Sequence, residues 1–213
     1  VGRVGYWLTI GGCFSAPETL ALIGMAVYAY SAMRRSGLSH PNKLALHWTV
    51  GSAVVTLFGA GLLGLAHTWP SVNKWTHGTL ITAMHGHAAF YGAYAMIVMA
   101  MITYALPGMT RRPEEGTKLG WWAFWLQIAG MFGMTLSFAT AGIGQVYLER
   151  IMGLGYLDAQ LKIQVHFLML IATASVFAVG VMCFILDFFK YAPRFEVSRE
   201  TDALAPASRP VAA

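Results

Sequence analysis

The chain reads as an all-α, polytopic bundle of membrane-spanning helices, and three features of the sequence predict it. Of its 213 residues, 57% are hydrophobic and only 11% charged, against about 25% charged in an ordinary soluble domain. Mean hydropathy is +0.57 over the whole length, which excludes a disordered chain, a coiled coil and an ordinary water-soluble enzyme. The charges are also segregated. None lies between Lys43 and Lys74, from Trp75 to Thr110, from Leu119 to Leu148 or from Ile163 to Leu186. Each run exceeds the roughly 20 residues that cross a bilayer as a helix.

Five spanning helices follow in order. The first runs from about Tyr6 to Met33, the second from about Leu44 to Ala66 and the third from about Thr76 to Leu106. The fourth covers about Leu119 to Leu148 and the fifth about Leu161 to Phe189. Lipid offers the backbone no hydrogen-bonding partner, so such runs satisfy themselves as helices; they are too long for barrel strands of about 10 residues. Loops are marked by Ser36-Gly37 with Pro41-Asn42, by Pro70, by Pro107-Gly108 with Pro113, and by Gly153 with Gly155. Residues 1–190 therefore form the membrane unit. Residues 191–213, rich in Pro, Ala and Ser with mixed charge, read as a disordered cytoplasmic tail. Glycines on the second helix (Gly59, Gly61, Gly64) and the fourth (Gly130, Gly133, Gly142, Gly144) read as close-packing positions.

The formal net charge of +5 sits in short loops, a pattern of membrane orientation and not of nucleic-acid binding. Arg34, Arg35, Lys43, Arg111, Arg112, Lys118, Lys190 and Arg194 fall on one side, and only Arg3, Lys74, Arg150 and Lys162 on the other. The positive-inside rule puts the first group and the C-terminus in the cytoplasm. The two cysteines, Cys13 and Cys183, lie in apolar segments and read as small hydrophobes. The chain begins Val-Gly-Arg, without methionine or signal peptide, so Val1 is expected to lie inside a longer gene product.

Ionisable groups inside a membrane are costly, and each asks for a use. Glu18 on the first helix and His85 and His87 on the third stand out. Residues two apart on a helix point about 200° apart, so the two imidazoles leave opposite sides of one rod. They cannot easily share one metal, but they can ligate two different cofactors flanking the helix, such as two haems, with Gly86 clearing bulk between them. The alternative is a pair of interhelical hydrogen-bonding histidines. Glu18 follows Pro17, which leaves the Cys13 carbonyl without its helical donor. The acid either fills that kink or carries protons beside a metal. It lies about 18 Å in from Tyr6, and His85 about 14 Å in from Thr76, so both share one level of the membrane. His77 and His67 bracket an outer loop and could bond haem propionates or face water. His40, His47 and His166 read as solvated, snorkelling and packing residues.

His85-Gly86-His87-Ala88-Ala89-Phe90-Tyr91-Gly92-Ala93-Tyr94, with Thr76-His77-Gly78-Thr79 and Val72-Asn73 before it, closely resembles the catalytic subunit of bacterial cytochrome c-dependent nitric oxide reductase, of the haem-copper oxidase superfamily. Phe14-Ser15-Ala16-Pro17-Glu18 resembles that family's active-site glutamate segment, and Gln145-Val146 fits as well. The resemblance covers nearly the whole chain before Lys190. It implies the last five of the family's twelve helices. His85 would then be the proximal ligand of haem b3 and His87 a ligand of haem b, with His77 a contact to a haem propionate. Glu18 would stand near the non-haem iron facing haem b3, tuning it or delivering protons. Two NO molecules would couple there to N2O and water, using electrons relayed through haem b from a membrane-bound cytochrome c subunit. The resemblance further implies calcium, with ligands largely elsewhere, and a place in the bacterial inner membrane.

The family's three histidines for the non-haem iron, and the second ligand of haem b, fall before Val1. The chain is therefore expected to be the C-terminal part of a longer or split subunit, inactive alone. Three other readings compete. An oxygen reductase would need a tyrosine crosslinked to histidine, and a hard carboxylate such as Glu18 suits iron better than copper. A haem b electron-transfer anchor would need a partner such as His166 for His85. A transporter should show paired broken helices in two related halves, and the sequence shows none.

Overall fold

The computed structural model describes residues 5–37 and 39–192, and each of the five expected spans is helical within them. In chain order these are α1 (Gly5–Ser36), α2 (Lys43–Thr68), the short α3 (Pro70–Thr76), α4 (Leu80–Met109) and α5 (Lys118–Ile151), the short α6 (Tyr156–Lys162) and α7 (Gln164–Phe189). There is no strand among the described residues. The expected tail falls outside them from residue 193 onward.

Three boundaries differ from the sequence expectation. The third span starts at Leu80, not near Thr76. Pro70 opens the separate helix α3, His77 ends it in an extended conformation, and Gly78 at φ +73° turns the chain. Thr79 then caps α4, its hydroxyl oxygen accepting from Ile81 N at 3.3 Å. His77 thus lies in the turn before α4 and not on its end. Pro107 does not stop α4, which continues to Met109. Proline cannot donate to the carbonyl four residues back, but Asn42 Nδ2 donates to that Thr103 carbonyl at 2.9 Å. The last span is divided at Ile163 (φ −99°, ψ 8°) into α6 and α7.

The spans pack largely in sequence order, with α5 and α7 in contact along most of their length. Leu44, Trp48, Tyr91, Met96, Ala100, Ala123, Phe124 and Met131 build the core between α2, α4 and α5. Close approach at glycine holds these helices together. A Cβ at Gly92 would stand 2.6 Å from Thr56 N, one at Gly130 2.5 Å from Phe177 N, and one at Gly142 2.5 Å from Ile81 N. Ser52 Oγ ties α2 to α4 by donating to Gly92 O at 2.6 Å. Gly92→Ala is expected to cost about 1–3 kcal/mol, the range for overpacking, because the clash is with backbone and no rotamer relieves it. Gly108→Ala, whose Cβ would meet nothing within 4 Å, serves as control. Thermal unfolding in detergent measures both.

At the basic end of the bundle the α4–α5 loop is clamped onto α7. Arg112 and Asp187 form an ion pair with side chains 3% and 1% exposed. Thr117 Oγ1 donates to Asp187 Oδ1 at 2.5 Å and accepts from Gly120 N at 2.9 Å. In the sequence Arg112 bears on topology only, and Asp187 carries no signal of this role. At the edges, α1 and α7 leave large apolar side chains outward, such as Phe14 (76% exposed), Tyr28 (78%) and Leu168 (67%). In water such a surface would aggregate; in a bilayer or against further helices it is at home.

Candidate cofactor sites on either side of one helix

Both singled-out imidazoles sit on α4 and leave it on opposite sides. His85 faces α2, where its Nδ1 lies 2.7 Å from Gly59 O. A carbonyl only accepts, so Nδ1 carries the proton and Nε2 keeps its lone pair. Gly59 is in a π-helical turn of α2 (Leu57–Leu62) and packs on α4 so closely that a Cβ would stand 2.6 Å from Ala88 C. Any side chain there would push the carbonyl off His85.

His85 lines a cavity of about 450 Å³ whose other walls come from α1 (Ser15, Glu18, Thr19, Leu22) and α2 (including Thr56, Gly64 and Thr68). Glu18 is exposed within it. The acid and the imidazole therefore share one space, as their equal depth along two helices predicts. Four hydroxyl residues, Ser15, Thr19, Thr56 and Thr68, line this cavity together with the apolar Leu22, Ala60 and Leu65. Thr19 Oγ1 donates to Gly61 O at 3.4 Å and joins α1 to α2 beside the acid.

His87 opens onto a different space. Its Nδ1 lies 2.8 Å from Ala83 O one turn back, so its Nε2 is likewise the free lone pair. The ring is 4.8 Å from that of Phe138 on α5. It lines an apolar groove of about 620 Å³ with Phe90, Tyr91 and Tyr94 of α4, Met131 of α5, and Phe177 and Phe184 of α7. Both spaces fall in the size range of small-molecule and cofactor sites, roughly 300–1,000 Å³. Each couples one oriented imidazole lone pair to a broad wall, and the groove's wall is aromatic. That donor set fits a haem on each flank of α4. Gly86 between them would meet nothing within 4 Å if it carried a Cβ.

The other candidates are more dispersed. His77 is exposed in the turn before α4, its carbonyl 3.5 Å from Arg150 Nη2. His47 is exposed with its Nδ1 2.7 Å from Lys43 O, and His166 Nδ1 lies 3.1 Å from Ile163 O. Among the described residues, no three His, Cys, Asp or Glu side chains converge to hold a metal ion. Cys13 and Cys183 are free thiols. Gln145 acts structurally: its Oε1 accepts from Leu80 N at 2.9 Å and fixes the start of the histidine-bearing helix. His67 carries little weight in the sequence, yet its ring stacks on that of His85. An ionisable residue near the end of an apolar run is the available signal.

Five apolar helices, with an oriented imidazole on each flank of one of them, define a multi-pass membrane protein with two candidate cofactor sites. The family model described as cytochrome c and quinol oxidase polypeptide I matches residues 2–179, and the chain belongs to that haem-copper oxidase family. It is also 37% identical over 196 residues to a nitric oxide reductase subunit from Stutzerimonas stutzeri, a match covering 88% of this chain and 41% of the relative. The chain thus spans about two fifths of the length of that curated relative. Family membership implies haem and iron in general terms, and it places the chain among multi-pass membrane proteins.

Proposed function

We propose that this chain is the C-terminal part of the catalytic subunit of a nitric oxide reductase, holding one haem on each side of α4. The observation that carries this reading is the division of space around α4. His85 and His87, two residues apart, each offer a free Nε2 to a separate cofactor-sized space. In this reading His85 is the proximal ligand of haem b3, and His87 is one ligand of haem b. When bound, these groups and a non-haem iron would relay two electrons and provide the metal centre at which two NO molecules, with two protons, become N2O and one water. The histidines of the non-haem iron and the second ligand of haem b belong to a part of the subunit preceding this chain. The chain alone is then inactive.

The chain's own residues perform three tasks. Gly59 and Ala83 carbonyls fix the tautomer of the two ligands and aim each free Nε2 away from the accepting carbonyl, which raises their basicity toward a metal. Glu18, in the cavity with His85, holds a proton for the oxygen that leaves as water, and as a hard oxygen ligand it suits iron. The apolar groove around His87 keeps water from the electron-relay haem. His77, exposed in the outer turn, would contact a haem propionate. The electron donor is a membrane-bound cytochrome c subunit. The subunit lies in the bacterial inner membrane, and the excess of basic residues in one set of loops supports a cytoplasmic C-terminus.

Glu18→Gln tests the assignment of the acid. In the complete enzyme, both haem spectra are expected to persist while NO turnover falls about a hundredfold or more, the scale of a lost general acid. Turnover equal to that of the unsubstituted enzyme reduces Glu18 to filling the kink after Pro17.

A further inference from the structure

The ring of His85 is confined from three directions, and all three come from α2. Gly59 O accepts its Nδ1 proton at 2.7 Å. Gly64 borders its edge: a Cβ there would lie 3.3 Å from Cε1 and 4.0 Å from Nε2, so the glycine closes in without covering the free nitrogen. His67 covers one face, with ring centroids 5.2 Å apart and planes 22° from parallel.

An ordinary α-helix does not present residues 59 and 64 in one direction. Five residues turn it by about 500°, which leaves them about 140° out of register. Here α2 is π-helical from Leu57 to Leu62, closing hydrogen bonds five residues apart instead of four. The widened turn brings positions five apart toward one face, and His67 follows three residues after Gly64, close to one ordinary turn. The π turn is therefore the element that aims Gly59, Gly64 and His67 together at His85.

His67 is itself held firmly. Its Nδ1–H donates to Leu63 O at 2.8 Å, and its carbonyl accepts from Asn73 Nδ2 at 2.6 Å, which anchors it to α3. Its Nε2 is buried and has no partner among the described residues. The ring thus meets His85 as a flat surface and not through a hydrogen bond. One hydrogen bond at Nδ1 leaves an imidazole free to rock, because its terminal torsion is broad; a stacked ring removes that freedom.

We infer that His67 is a positioning residue that sets the plane of the His85 imidazole, and with it the direction of the iron–nitrogen bond in the haem that His85 would hold. This rests on the proposed ligation by His85. The test compares His67→Leu with His67→Phe in the complete, haem-loaded protein. Resonance Raman spectroscopy of the reduced high-spin haem reads the iron–histidine stretching band, and the low-spin spectrum of the His87 haem reports intact folding. Leucine, which has no flat face, is expected to displace and broaden the band. Phenylalanine, which keeps the face, is expected to retain it, and the low-spin spectrum stays unchanged in both. If leucine prevents folding, seen as loss of the low-spin spectrum, His67→Met makes the same comparison. A band unmoved by either flexible residue, or moved equally by phenylalanine, overturns the inference. Failure of the ligation reading is recognised separately, because the high-spin iron–histidine band would then persist in His85→Ala.

Discussion

His87→Ala in the assembled protein removes the low-spin haem spectrum and leaves the high-spin one, and His85→Ala does the reverse. This is the expected result with the largest effect, since each substitution deletes an iron ligand outright. The separation follows from the geometry. The two rings are two residues apart on α4, yet one opens to a cavity shared with Glu18 and the other to an aromatic groove against α7. Neither substitution disturbs the contact that orients the other ring, because Gly59 O serves His85 and Ala83 O serves His87. Absorption and electron paramagnetic resonance spectra of the two variants, with haem content per subunit, make the measurement. Loss of both haems in each variant would point to one shared site. Retention of both would leave the histidines as interhelical hydrogen-bonding residues.

Asp187→Ala is expected to destabilise the bundle by about 3–5 kcal/mol, the usual consequence of leaving one member of a buried ion pair alone. Arg112 would keep its charge in a position only 3% exposed. Thr117 would also lose the acceptor of its hydroxyl, loosening the cap on α5. The double substitution Asp187→Leu with Arg112→Leu is expected to cost much less, because replacing both partners by apolar groups removes the desolvation penalty as well as the attraction. Thermal unfolding of both variants in detergent decides it. Equal losses from the single and double substitutions would mean that the pair contributes packing and not charge compensation.

The spans were legible because membrane helices carry their signal in long uninterrupted apolar runs, and Lys43, Lys74, Lys118 and Lys162 mark their limits. The opposite-facing histidines were legible because helical geometry alone sets their angle. Equal depth of Glu18 and His85 followed from helix rise and shared direction. What failed was local punctuation. Pro107 reads as a stop, but Asn42, from the loop before a neighbouring helix, supplies a donor to the carbonyl that Pro107 leaves unpaired. Thr76 reads as the start of the third span, but Pro70 and Gly78 isolate it in α3. The π turns, the Arg112–Asp187 pair and the His67–His85 stack all depend on contacts between separate elements, and periodicity within one helix carries no trace of them.

The most direct measurement is a cryo-electron microscopy map of the complete subunit at a resolution that shows macrocycles. Density for two flat porphyrins is expected, one on each flank of the helical segment Leu80–Phe90, with one iron against His85 Nε2 and the other against His87 Nε2. A map in which a single porphyrin, or only lipid and protein, occupies both flanks contradicts the account.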